Sequence, residues 1–300
     1  METRINFAGI DMKNPVTVAS GTFGYGREFS DFVNLNDLGA FITKGTTLKP
    51  KSGNKPTRIC ETPSGILHNI GVQNPGIEYF AKYELPYLKK FDTKIIVNAC
   101  ANKTDEFIEL GKVLNDLDID GVEVNLSCPN YDNDGKIFSY DYDSIDMLIK
   151  NLKKVLKKPI IAKLSPNVPD IELSAIAAEN GGADAISLIN AISGMAIDIH
   201  KQEPILSTKI GGLSGPAIKP VAVRMVYQIA QKVNIPILGM GGILTGEDAI
   251  EFMLAGSTAV AIGAGNFANP FATLDVIKGI EEYMKEKNVK DIYQIIGKLK

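Results

Sequence analysis

Residues 235–271 read IPILGMGGILTGEDAIEFMLAGSTAVAIGAGNFANPF, and the order of their parts decides the fold. Two short apolar runs, one beginning at Ile237 (ILGMGG) and one at Ala259 (AVAIGAG), flank a segment of helical period. Thr245-Gly-Glu-Asp248 opens that segment in the manner of a capping box, and Gly256 follows AIEFMLA as a helix stop. Strand, helix and strand in this order make a crossover unit of a parallel sheet covered by helices.

The same alternation extends toward the amino end. Further apolar runs begin near Val16 (VTVAS), Ala40 (AFITK), Ile95 (IIVNA), Val122 (VEVNLS), Ile160 (IIAKLS) and Ala185 (AISLIN), which makes eight in all. Pro15, Pro159 and Pro236 each stand immediately before a run, where a missing N–H costs little because the ladder has not begun. Between the fourth and fifth runs, Ile145, Leu148, Ile149, Leu152, Val155 and Leu156 keep a three-or-four spacing with lysines on the other face, which predicts a core-facing helix. The steps from Ala40 to Ile95 and from Ala185 to Ile237 are about twice the others. The expectation is an α/β chain folded as a TIM (β/α)₈ barrel with insertions after strands 2 and 6.

The competitor is a doubly wound open sheet, because Gly263-Ala-Gly-Asn-Phe-Ala268 satisfies the loose G-x-G-x-x-A dinucleotide pattern. That pattern falls at the last strand, Asn269-Pro270 interrupts the helix start, and no later strand supplies an acidic ribose ligand. In a barrel, the glycines after strands seven and eight have another use, since their bare backbone N–H groups can approach a phosphate. A glycine pair alone serves equally well as a tight turn. Gly241-Gly242 and Gly263-Ala264 on adjacent loops favour the phosphate reading.

Composition narrows the function. The chain has 300 residues, 45% of them hydrophobic, and a formal net charge of -3, so it can bury a core and lacks the basic surplus of a nucleic-acid binder. No apolar run approaches the ~18 residues that span a bilayer, and the start METRINFAGIDMKNP matches no targeting pattern, so a cytoplasmic protein is expected. Cys60, Cys100 and Cys128 are far apart with no C-x-x-C, which encodes neither a disulfide framework nor a metal or iron–sulfur site.

Read in order, the strand ends carry Ser20, Lys44, Asn98, Asn125 with Cys128, Lys163, Asn190 and then the two glycine pairs. Polar groups that would be costly in a core thus converge on one rim. Lys44 and Lys163 each end an apolar strand; one such lysine reads as a snorkelling surface residue, whereas two at one rim can stabilise an anionic group that develops during a reaction. Asn125-Leu-Ser-Cys-Pro-Asn130 holds a thiol between two carboxamides, where nearby lysines would favour the thiolate and make it a usable base. Position alone leaves a structural role for Cys128 equally open, and that role suits Cys60 and Cys100. His68 lies within the first insertion and could face the site as a lid element, while His200 gets no role.

The blocks KNPVTVASGTFGYG, IGVQNPG, NLSCPN, KLSPNV, INAISGM, GGLSGPAIKPVAVRMVYQIAQ, IPILGMGGI and AVAIGAGNFANPF, with the Lys44 strand end, resemble the class 1 dihydroorotate dehydrogenases, flavin barrels of pyrimidine biosynthesis. The stretch from Ile189 to Met240 is closer to the class 1B, NAD-linked catalytic subunit than to the fumarate-linked class 1A enzyme. The resemblance implies a single FMN-binding barrel domain over residues 1–300. It implies FMN contacts from Ser20, Lys44, Gly45, Asn98, Asn125 and Lys163, and from Ile189, Gly215, Gly241, Gly242, Gly263 and Ala264. It places the orotate pocket at Lys44, at His68, Asn69, Ile70, Gly71 and Val72, and at Asn125, Asn130, Asn190 and Ala191. Cys128 takes the position of the family's base, removing a proton from C5 of dihydroorotate as hydride leaves C6 for flavin N5. In the same scheme Lys163 offsets charge on the reduced flavin and Lys44 holds the substrate carboxylate.

Three positions depart from the family pattern: His68 stands where asparagine is usual, and Ala191 and Ala264 replace hydroxyl residues. NAD has no dinucleotide fold to bind here, and there are no cluster cysteines. The resemblance therefore implies an electron-transfer subunit carrying FAD and a 2Fe–2S cluster, in a heterotetramer of two catalytic and two electron-transfer chains. Two rival readings keep the barrel and change the chemistry: a class 1A-like, fumarate-linked dehydrogenase, and an RNA dihydrouridine synthase-like flavin barrel, whose basic tract is missing here.

Overall fold

The computed structural model of the chain describes residues 1–127 and 141–300. Each of the eight apolar runs forms a strand: β1 (Val16–Val18), β2 (Ala40–Ile42), β3 (Lys94–Ala99), β4 (Gly121–Asn125), β5 (Ile160–Lys163), β6 (Ala185–Leu188), β7 (Ile237–Met240) and β8 (Ala259–Ile262). Every ladder from β2 through β8 joins chain neighbours in parallel, and β8 pairs with β1. The Gly39 N–H donates to the Val16 carbonyl at 3.1 Å, which brings β2 beside β1 and closes the cylinder. The strands are buried on both faces, which is why they read as continuous apolar runs instead of alternating ones.

Among the described residues six longer helices cover the barrel: α1 (Thr104–Asn115), α2 (Tyr142–Val155), α3 (Ile171–Asn180), α4 (Lys219–Ala230), α5 (Gly246–Ala255) and α6 (Ala272–Glu286). In α2 the expected stripe is the buried one, with Ile145, Leu148, Ile149 and Leu152 inward and Asp141 capping the first turn. The capping box at α5 also forms: Thr245 Oγ1 accepts from the Asp248 N–H at 3.2 Å, and Asp248 Oδ2 accepts from the Thr245 N–H at 3.0 Å. Among the described residues no helix is long and apolar enough to cross a membrane.

The two long connections meet. Strands Ile59–Thr62 and Gly65–His68, after β2, join Ile192–Met195 and Ile210–Ser214, after β6, in one antiparallel four-stranded sheet. An amino-terminal hairpin (Ile5–Phe7 with Ile10–Met12) packs its buried Ile10 against Gly121 at the start of β4. The hairpin thereby fills the end of the barrel away from the strands' carboxyl ends, leaving the other end for a ligand.

Candidate active site

A cavity of about 730 Å³ opens at the carboxyl ends of the strands, within the range of small-molecule sites. Its floor is built by strand ends, and every described residue that the sequence pointed to lines it. Ser20 comes from β1, Lys44 and Gly45 from β2, Asn98 from β3, Asn125 from β4 and Lys163 from β5. Ile189, Asn190 and Ala191 follow β6, while Gly241, Gly242, Gly263 and Ala264 follow β7 and β8. The antiparallel sheet and the loops beside it add a wall with His68, Asn69, Ile70, Gly71, Val72 and Gly215. Cys128 and Asn130 lie outside the described residues.

The lysines differ in their surroundings. Lys163 is only 4% exposed, so it does not snorkel: its ammonium donates to Ser20 Oγ at 2.7 Å and stands 3.6 Å from Glu123 Oε2. Lys44 is half-buried, 5.9 Å above the Tyr25 ring, and its Nζ makes no hydrogen bond or ion pair among the described residues. It lines the cavity, where its ammonium could meet an anionic group. Burial pushes the Tyr25 hydroxyl up to about 12, so it stays a neutral donor and acceptor beside Thr46 Oγ1 at 3.1 Å.

Two participants escaped sequence reading. Glu123, fully buried in β4, accepts hydrogen bonds from Asn98 Nδ2 at 2.5 Å and Ser187 Oγ at 2.7 Å. Its signal was there: a charged residue inside GVEVN, on the same face as Asn125 by the two-residue period of a strand. Cys100, taken above for a small apolar filler, lines the cavity; its thiol donates to Asn98 Oδ1 at 3.2 Å, and Asn125 Nδ2 donates to the sulfur at 3.4 Å. Nothing local in the sequence marked it.

The wall is tied down by polar pairs. His68 Nε2 and Ser214 Oγ lie 2.9 Å apart, and burial lowers the histidine below its usual range, which keeps the ring neutral at neutral pH. Asn69 is engaged at both ends of its amide, accepting from Asn54 Nδ2 at 2.7 Å and donating to the Ile210 carbonyl at 3.1 Å. Asn167, on the loop after β5, donates to the Ala191 carbonyl at 3.0 Å and accepts from the Ser193 N–H at 2.9 Å, fixing the start of the second insertion.

At the far side of the cavity the chain bends through Gly241 and Gly242, both at positive φ, where a side chain would be strained. Gly242 has φ +78°, and a Cβ there would stand 2.9 Å from the Gly215 carbonyl oxygen and 2.8 Å from Lys219 Cβ. Without a Cβ in the way, Gly215 and the start of α4 pack directly against this bend, which lines the cavity with bare backbone.

This architecture matches a known family over most of its length. The family model described as dihydroorotate dehydrogenase matches residues 3–284. The chain belongs to the dihydroorotate dehydrogenase family. Among its relatives, the dihydroorotate dehydrogenase B (NAD(+)) catalytic subunit of Alkaliphilus oremlandii is 55% identical over 98% of both chains. The proteins of that same name from Caldicellulosiruptor bescii and Thermoanaerobacter pseudethanolicus are 52% and 51% identical, each over 100% of this chain and 99% of theirs. Membership in this family makes the chain an oxidoreductase, and these relatives are NAD(+)-type catalytic subunits.

Proposed function

We propose that the chain oxidises dihydroorotate to orotate, the dehydrogenation step of pyrimidine synthesis, in the cytoplasm and with FMN held in the cavity at the barrel mouth. The observation that carries the reading is the convergence on one cavity of the buried Lys163, of Lys44 with no hydrogen bond or ion pair among the described residues, of three carboxamides (Asn98, Asn125 and Asn190) and of a bend of bare glycine backbone. The bare backbone at Gly215, Gly241 and Gly242 would hold the phosphate, while Ser20, Asn98, Asn125 and Lys163 suit a ring with alternating donors and acceptors. FMN when bound supplies the acceptor for the hydride that leaves C6 of the substrate.

The chain's own residues do the rest. Lys44 binds the substrate carboxylate, and the carboxamides of Asn125, Asn130 and Asn190 read the imide edge of the pyrimidine. Cys128, as thiolate, takes the proton from C5, so that the C5–H and C6–H bonds break and a C5=C6 double bond forms. Lys163 would help hold FMN, and its fixed ammonium would offset negative charge developing in the reduced cofactor. His68 and the segment to Val72 close over the substrate and exclude water, with the neutral imidazole able to donate or accept. An electron-transfer subunit carrying FAD and a 2Fe–2S cluster, two of them on a pair of catalytic chains, passes the electrons to NAD.

The test is anaerobic mixing of the FMN-loaded chain with dihydroorotate while following flavin absorbance. Rapid bleaching is expected, with orotate formed in equal amount and little steady turnover on fumarate alone. No bleaching discards the substrate, and brisk turnover on fumarate discards the NAD-linked assignment.

A further inference from the structure

Beneath the cavity lies a charged group for which the proposed reaction has no use. Glu123 is fully buried, does not reach the cavity, and touches two residues that do, Asn98 and Lys163. A carboxylate in a barrel interior is costly, and packing alone would be met by an apolar side chain. Its partners show what it does. Ser187 and Asn98 satisfy its oxygens, and the Lys163 ammonium stands 3.6 Å away while spending its shorter hydrogen bond on Ser20. The pair is close enough to cancel much of its field yet leaves Lys163 aimed at the cavity.

We propose that Glu123 is the counter-charge to Lys163: it holds the pair near neutrality beneath the cavity and so limits how strongly the site favours reduced over oxidised flavin. This rests on the FMN reading above. Two-electron, one-proton reduction leaves the flavin ring anionic, and a lone buried ammonium would stabilise that form enough to hinder the passage of electrons to a partner. Glu123 acts through its neighbours and is a positioning residue. Because a carboxylate only accepts, it also compels Asn98 to turn its NH₂ downward and its Oδ1 toward Cys100 and Gly45 at the cavity wall.

The experiment measures, for the parent and for variants, the affinity for oxidised FMN by fluorescence quenching and the midpoint potential of bound FMN under anaerobic conditions. Together these give the ratio of affinities for the reduced and oxidised forms. E123Q should raise that ratio about tenfold, which for a two-electron couple is about 30 mV to more positive potential. E123D, which withdraws the carboxylate by one methylene, should raise it about threefold, and it carries the test if E123Q does not fold. E123Q/K163M, again neutral, should return to within about threefold of the parent. A purely structural role would weaken both redox forms alike and leave the potential unmoved; that result, or a double variant keeping the whole E123Q shift, overturns the proposal. A parent that takes up no FMN overturns the FMN reading itself, which is a separate and recognisable failure.

Discussion

The floor of the cavity and its wall are built on opposite principles. The floor is made of strand ends, and apart from the half-buried Lys44 its cations and carboxamides are mostly buried and matched to fixed partners: Lys163 with Ser20 and Glu123, Asn98 with Glu123 and Cys100. The wall is an added sheet with apolar side chains in the open, Ile59 and Met195 at 49% and Ile210 at 58% exposed, its strands joined by antiparallel ladders and by polar pairs such as His68 with Ser214. Removing one partner in the floor strands a buried charge, whereas removing one in the wall gives a group access to water. A barrel can thus carry a tightly paired floor at its mouth while a separate added sheet shapes the opposite wall of the cavity.

Several substitutions would break or sharpen that contrast. The largest effect belongs to Cys128, on the stretch that follows β4. Cys128→Ala should slow flavin reduction by dihydroorotate by about 10²–10⁴-fold with FMN still bound, and Cys128→Ser should be nearly as poor; stopped-flow rates equal to the parent would discard the base. In the floor, Lys163→Met leaves Glu123 unpaired and should cost about 3–5 kcal/mol in urea unfolding. Gly242→Ala forces a Cβ against the Gly215 carbonyl at positive φ, and about 1–3 kcal/mol should be lost together with FMN affinity. In the wall, Ser214→Ala should cost only about 0.5–1.5 kcal/mol, showing mainly as a higher KM for dihydroorotate. A loss as large as that of Lys163→Met would erase the distinction between the two regions.

The smallest effect concerns pH. The unfolded chain takes up a proton on His68 near the ordinary histidine value, whereas the buried ring resists it to lower pH. Its neutral form is therefore stabilising above the ordinary value, and stability falls as pH drops below it. Urea midpoints measured from about pH 7 to about pH 5 should decline more steeply for the parent than for His68→Asn. Parallel curves would place the pH dependence elsewhere.

Much of the barrel was legible because its signals are local. The eight runs, the prolines ahead of three of them, the Thr245–Asp248 box and the α2 stripe each occupy a short window, and all took the expected form. The strand ends were legible too, since a polar residue that closes an apolar strand can only emerge at the barrel rim. Glu123 was passed over because a charge within an apolar run carries no label saying which neighbour balances it. Cys100 was passed over because a thiol reads the same whether it packs against methyl groups or between two asparagines.

By itself, then, the order of residues determined the repeating strand–helix unit, the barrel and most of the described side chains at its mouth, because backbone preference and apolar periodicity act over a few neighbouring positions. Tertiary structure alone decided that Lys163 meets Ser20 and Glu123, that His68 meets Ser214 at a separation of 146 residues, and that two distant insertions share one sheet. Those pairings exist only once the cylinder closes, because closure sets which strand stands beside which and removes the water that would otherwise satisfy each group separately.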